Sequence, residues 1–199
     1  MNKHELTASV AAKSRVRDRI FDTACDMFYK LGIRCVGVDA IASEAGTNKM
    51  SFYRSFASKD ELVAEYLRAQ EQEHWQWWDA AIAPYAGDAR RQIEALFDAY
   101  VTKCRKKGVH GCAFINAAVE LREPDHPALD VVHKSKAETR RRFRKLAKEA
   151  GASAPDLLGD ALTLLTEGGA MSRLSFACQD GPGSSIPKIV RKLLDAYID

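Results

Sequence analysis

Residues 38–56 read VDAIASEAGTNKMSFYRSF, and this stretch decides the fold. Val38, Ile41 and Ala42 recur at helical spacing to about Ala45, Gly46 interrupts, and a second short helix follows from about Asn48 to Ser55. Ala42 and Ala45 are small enough for two helices to cross closely, and Gly46 supplies the backbone freedom of the turn. Phe52 and Phe56 are the apolar anchors of the second helix, and Asn48, Lys49, Ser51, Tyr53, Arg54 and Ser55 lie on its other face. Donors and flat side chains of these types reach base edges and phosphates. The pattern predicts a helix-turn-helix, in which the second helix enters a DNA groove about 12 Å wide while the first braces across the backbone.

Reading outward, a helix is expected from about Ser14, its cap, with Val16, Ile20, Ala24, Met27 and Phe28 inward and Gly32 as the stop. Ser58 caps a long helix that opens on Asp60 and Glu61 and ends at about Ala83, ahead of Pro84. Further helices are expected at about 88–106, 112–121, 127–150, 155–179 and 184–198, separated by Gly and Pro loops. Strict apolar alternation is almost absent, so the chain reads as all-α.

Charge is unevenly spread. Residues 1–59 carry ten Lys and Arg against six Asp and Glu, whereas the other 140 carry twenty against twenty-one. A basic module beside a neutral remainder suits a chain whose first part meets a polyanion. An apolar share of 46% with no long apolar run predicts a soluble protein without membrane contact, and Met1 to Ala12 lacks a secretory pattern, which makes the cytoplasm the default. Cys25, Cys35, Cys104, Cys112 and Cys178 have no metal-ligand or C-x-x-C spacing and read as small buried hydrophobes, with redox sensing as the alternative. No nucleophile elbow, phosphate loop, dinucleotide fingerprint or metal motif is present, so neither an enzyme nor a cofactor is expected.

From Ile20 to Leu62 the chain resembles the DNA-binding domain of the TetR family of transcriptional regulators. The resemblance rests on Ile20, Ala24, Phe28, Gly32, Val38, Ile41, Ala42, Ala45, Gly46, Phe52, Tyr53, Phe56, Lys59, Glu61 and Leu62 at the family's spacing. It implies a three-helix DNA-binding domain over residues 1–58 and a bundle of about six helices for ligand binding and dimerisation over 59–199. It further implies that Thr47, Asn48, Lys49, Ser51, Phe52, Tyr53 and Arg54 approach DNA, that Tyr53 and Lys59 lie against phosphates, and that Asn48, Lys49 and Arg54 read bases. Gly37 and Val38 open the first helix of the motif, where the family usually has a hydroxyl residue. Gly37 offers only a backbone N–H there. Arg15, Arg17 and Arg19 are placed to reach flanking phosphates, with a solvated helix face as the alternative.

In the second module the resemblance implies a small-molecule pocket. Its candidate lining is Trp75, Trp78, Phe97, Tyr100, Phe114, Asn116 and Met171, with core packing as the alternative for each aromatic and backbone tethering as the alternative for Asn116. The basic run Arg140 to Lys145 reads as a solvated face, and His110, His126 and His133 as surface or loop-edge residues. The helix at 155–179 is apolar on two faces, one holding Leu158, Leu162 and Leu165, the other Leu157, Ala161, Leu164, Met171 and Leu174. Gly168 and Gly169 within it suggest close helix approach. Leu158, Leu162, Leu165 and Gly169, with Ile189 and Leu193 of the last helix, are therefore assigned to a contact between two copies. A dimer implies a near-palindromic double-stranded operator. The expected function is a dimeric repressor released by a small apolar or aromatic effector; the alternative is a DNA-binding regulator without a ligand.

Overall fold

The computed structural model describes residues 3–105, 108, 110–176 and 181–198. Among them the elements are helices α1 (Lys3–Leu31), α2 (Val38–Glu44), α3 (Lys49–Ser55), α4 (Lys59–Ile82), α5 (Ala89–Cys104), α6 (Ala113–Glu120), α7 (Pro127–Glu149), α8 (Pro155–Ser175) and α9 (Ile186–Tyr197), with 3-10 turns at Ala83–Tyr85 and Pro182–Ser185. No strand occurs among the described residues. The fold is all-α, as the periodicity predicted.

Local chemistry sets most boundaries. Gly32 ends α1 at φ +90°, its N–H donating to the Phe28 carbonyl at 3.1 Å. The Ser58 hydroxyl accepts the Glu61 N–H at 3.1 Å and starts α4, and the Asp88 carboxylate does the same for Arg91 at 3.0 Å in α5. His126 Nδ1 accepts the Ala128 N–H at 3.1 Å ahead of α7, where Pro127 occupies the first helical position. One expected boundary is corrected: α1 begins at Lys3 instead of near Ser14, since residues 3–31 hold no Gly or Pro and Ala8, Ala11 and Ala12 favour helix. The expected helix ends at Lys106 and Gln179, and Cys178, lie outside the described residues.

The chain divides into two compact units. One takes residues up to Ala69 together with Asn116–Val132, and the other takes Gln70–Ile115 and the chain from His133 onward. The division thus differs from a single cut after residue 58. In the first unit Leu62, Val63, Ala64, Tyr66 and Leu67 of α4 are buried with Ile20, Ala24 and Phe28 of α1, and the Phe28 and Tyr66 rings lie 5.8 Å apart. In the second unit Trp78, Ile93, Leu96, Phe97, Phe143, Leu158, Leu162, Ile186, Val190 and Leu194 form the core.

Tertiary packing gives the solvated basic face its partners and corrects the reading of the cysteines. The basic run on α7 is a web of ion pairs: Arg140 and Arg144 both bind Asp160 of α8 at 2.7 Å, and Arg142 binds Asp79 of α4 at 2.8 Å. These arginines hold Asp160 well below the usual carboxylate range. Cys35 is exposed, and Cys25, Cys104 and Cys112 are half-buried, so none of the four described thiols is the fully buried filler expected.

Candidate nucleic-acid interface and second-unit cleft

The turn between α2 and α3 is closed by three main-chain bonds: Ala45 N–H to Ile41, Gly46 N–H to Ser43 and Thr47 N–H to Ala42, at 2.9–3.0 Å. Gly46 adopts φ +62°, the left-handed conformation that a side chain disfavours. Asn48 then caps α3, its Oδ1 accepting the Ser51 N–H at 3.0 Å. Part of Asn48, expected to read bases, is therefore occupied in starting the helix.

Phe52 is fully buried, its ring 5.7 Å from Phe56 and 5.4 Å from Tyr53. This corrects its assignment as a DNA contact: a side chain with no exposed surface anchors α3 and leaves contact to its neighbours. Met50, Tyr53 and Arg54 are exposed on the same helix. Met50, 71% exposed, was missed because an apolar residue beside polar ones gives no donor signal. Lys49 Nζ pairs with Asp39 at 3.1 Å, and Arg54 donates to the Ser51 hydroxyl at 2.9 Å. Thr47 and Ser51 are half-buried.

At the start of α2, Gly37 has φ −90° and ψ 160°, no side-chain cap, and open space where a Cβ would stand, while Val38 beside it is half-buried. Lys59 opens α4 half-buried, and burial pushes its ammonium below the usual lysine range. Two of the three upstream arginines serve the fold. Arg17 binds Glu65 through two contacts of 2.7 Å and stacks 4.6 Å from the Phe56 ring centre, and Arg19 donates to the Ala45 carbonyl at 3.4 Å. Arg15 remains exposed.

In the second unit most of the expected pocket lining is spent on packing. Trp78 and Phe97 are buried against Phe143, with ring centres at 4.7 and 5.6 Å. Trp75 is half-buried beneath the Arg142 guanidinium at 4.1 Å, and Phe114 is buried with the Lys136 ammonium 5.8 Å from its ring. Asn116 falls in the first unit and is half-buried. Met171 is corrected to an outward residue, 42% exposed. Of the expected set only Tyr100 lines a cleft that the sequence did not reveal. That cleft is small, about 60 Å³, and lies between the last turns of α5 and α8 and the start of α9.

The two faces of α8 are the reverse of those expected. Leu158 and Leu162 are fully buried and Gly169 is buried, which removes them from any outward contact, and Leu165 is half-buried. Two glycines hold this face inward. A Cβ on Gly159 would lie 2.7 Å from the Arg144 backbone, and one on Gly169 would lie 2.6 Å from Ile186 and 2.9 Å from Tyr100. Leu157, Leu164 and Leu174 point outward at 59%, 70% and 49% exposure, Ile189 of α9 is exposed at 41%, and Leu193 is half-buried.

The sequence pattern of bacterial regulatory proteins of the tetR family matches residues 20–66. The whole structure is similar to a TetR-family transcriptional regulator from Streptomyces coelicolor, with 28% identity, 94% of this chain and 97% of that chain covered, and a TM-score of 0.84. It is also similar to a TetR-type transcriptional regulator from Streptomyces avermitilis, with 30% identity, coverage of 92% and 97%, and a TM-score of 0.79. A regulator from Saccharomonospora viridis in complex with choline shares the fold at 19% identity, coverage of 92% and 96%, and a TM-score of 0.76. No curated protein matches the sequence.

Proposed function

Because this chain belongs to the TetR family, and so is a DNA-binding transcriptional regulator and not an enzyme, we propose that it is a cytoplasmic homodimeric repressor that a small effector releases from a near-palindromic operator. The observation that carries the reading is the split along α3, where Phe52 is wholly buried and its neighbours Tyr53 and Arg54 are exposed. A ring locked in the core fixes the orientation of the donors beside it, as readout from a groove requires. Lys49 and Arg54 take the base edges, together with the NH2 group of Asn48. Their present partners, Asp39 and Ser51, are surface groups that DNA acceptors can replace. Thr47, Ser51, Tyr53, Lys59 and the backbone at Gly37 and Val38 take phosphates.

Pairing is supported by α8. Leu157, Leu164, Met171 and Leu174 form an outward apolar stripe, and Gly168 lies between Leu164 and Met171 on it. Among the described residues no atom from beyond its own helical turn comes within 4 Å of a Cβ placed on Gly168, so its missing side chain relieves no such contact, whereas it would admit a second helix. The effector reading is supported by the cleft beside Tyr100. Choline, bound by the Saccharomonospora viridis protein, is not carried over, because Arg105 and Arg173 line the cleft of this chain.

Sedimentation and footprinting test the reading. The wild type is expected to sediment as a dimer and protect two half-sites about 34–36 Å apart. Leu164→Glu is expected to yield monomers that lose the paired footprint. A monomer protecting one half-site with full affinity would overturn the proposal.

A further inference from the structure

One residue on the outer face of α3 differs in kind from its neighbours. At about 100° per residue, Lys49, Tyr53, Met50 and Arg54 fan across an arc of about 140°, with Met50 between Tyr53 and Arg54. All four are exposed. Phe52, the core anchor of the helix, lies about 160° around from Met50 and is fully buried, so Met50 points almost directly away from the core. Among the described residues no large apolar side chain is more exposed than Met50, at 71%. A single exposed apolar residue is ordinary on a protein surface. The place of this one, in the middle of the face that carries Lys49 and Arg54, is what distinguishes it.

The polar residues around it work by hydrogen bonds and charge. Asn48 Oδ1 accepts the Ser51 N–H, Lys49 pairs with Asp39, and Arg54 donates to the Ser51 hydroxyl. Met50 has no donor and only a weak sulfur acceptor, so it serves neither a phosphate nor a polar base edge. It offers hydrocarbon and a polarisable thioether on an unbranched, adaptable chain. The major groove presents one apolar group, the C5-methyl of thymine, and its other edge positions are donors and acceptors. Apolar surface laid over those donors and acceptors leaves them without partners, at a cost in affinity, whereas the same surface laid on a methyl group removes both from water.

We propose that Met50 specifies a thymine in each operator half-site by contact with its C5-methyl group, so that one base pair is read by apolar surface beside those read by hydrogen bonds from Lys49 and Arg54. The assignment rests on the operator reading above and adds a base identity to it. Each half-site contact buries about one methyl group, which is worth about fourfold in affinity.

Thymine-to-uracil scanning on the full chain tests it. Duplexes enriched from a random-sequence pool by the wild-type protein supply the operator, and each thymine of one half-site is replaced in turn by uracil. That change deletes the methyl group and keeps every hydrogen-bonding edge. The wild type is expected to lose about fourfold in affinity at one thymine. Met50→Gln keeps the length of the side chain and replaces its apolar end with an amide. This variant is expected to bind the thymine and uracil duplexes equally at that position, and the four affinities form a double-mutant cycle that isolates the contact. Urea unfolding is expected to match the wild type, because Met50 is exposed. A wild type indifferent to uracil at every thymine would overturn the assignment, as would a uracil effect that persists undiminished in Met50→Gln, which would place the methyl contact on another side chain. Either result leaves the operator reading intact. A pool that yields no consensus would overturn the operator reading, and the Met50 assignment with it.

Discussion

The Glu120 carboxylate accepts the backbone N–H of Arg34 at 2.8 Å, and the Glu120 carbonyl accepts from the Arg34 guanidinium at 3.2 Å. Glu120 is the last residue of α6, and Arg34 lies in the turn between α1 and α2, so one side chain ties down the approach to the DNA-facing helices. Glu120→Ala is expected to lower stability by about 0.5–1.5 kcal/mol, the ordinary net worth of such bonds, and to weaken operator binding. Glu120→Gln keeps an acceptor oxygen and should recover most of the loss. Urea unfolding and operator titration check both.

Neighbouring residues of α3 should separate stability from recognition. Phe52→Ala removes a fully buried ring and is expected to cost about 3–5 kcal/mol in chemical unfolding. Arg54→Ala should leave unfolding within about 0.5 kcal/mol of wild type, yet weaken operator binding by about 1–3 kcal/mol and relax preference at one base pair. Undiminished affinity with unchanged preference would remove Arg54 from the readout set.

Two glycines of the motif should respond with opposite sign. Gly46→Ala is expected to destabilise by about 1–2 kcal/mol through its φ of +62°, although nothing lies within 4 Å of the added carbon. Gly37→Ser enters open space at a backbone angle suited to a cap, and should gain a few tenths of a kcal/mol. Thermal melts of the two variants read the contrast directly.

His74 lies among Trp75, Trp77 and Trp78, with ring centres 4.7, 5.7 and 6.1 Å away, and burial pulls its pKa from 6.5 to about 4, with Lys103, Lys136 and Arg142 adding repulsion. A histidine whose folded pKa is depressed contributes its full stability above 6.5, where both states are neutral. That contribution falls as pH drops from 6.5 to about 4, because the unfolded chain takes the proton first. The loss should be on the order of 2–3 kcal/mol. His74→Gln should flatten the stability profile in this window relative to wild type, as measured by urea titration between pH 7 and pH 4.5. A profile parallel to wild type would show that His74 is not the titrating group. Glu138, held down to about 2 by Arg141 and Arg142, loses its contribution lower, as pH falls from 4.5 toward 2.

The helix-turn-helix was legible from the sequence because its information is local. The spacing of Ile41, Ala42, Phe52 and Phe56, the turn at Gly46 and the cap at Ser58 each act within a few residues, where chain geometry leaves few alternatives. The sequence by itself therefore determined the all-α class, the order of the helices and the family. It did not determine the phase of α8. Two apolar faces of similar strength lie about half a turn apart, and only close packing at Gly159 and Gly169 selects the one that turns inward. The tertiary structure also decided which aromatics fill the core, which arginines brace the fold, and that Tyr100 lines a cleft. These depend on contacts between residues distant in the chain, and helical periodicity carries no information about which partner such a residue will meet.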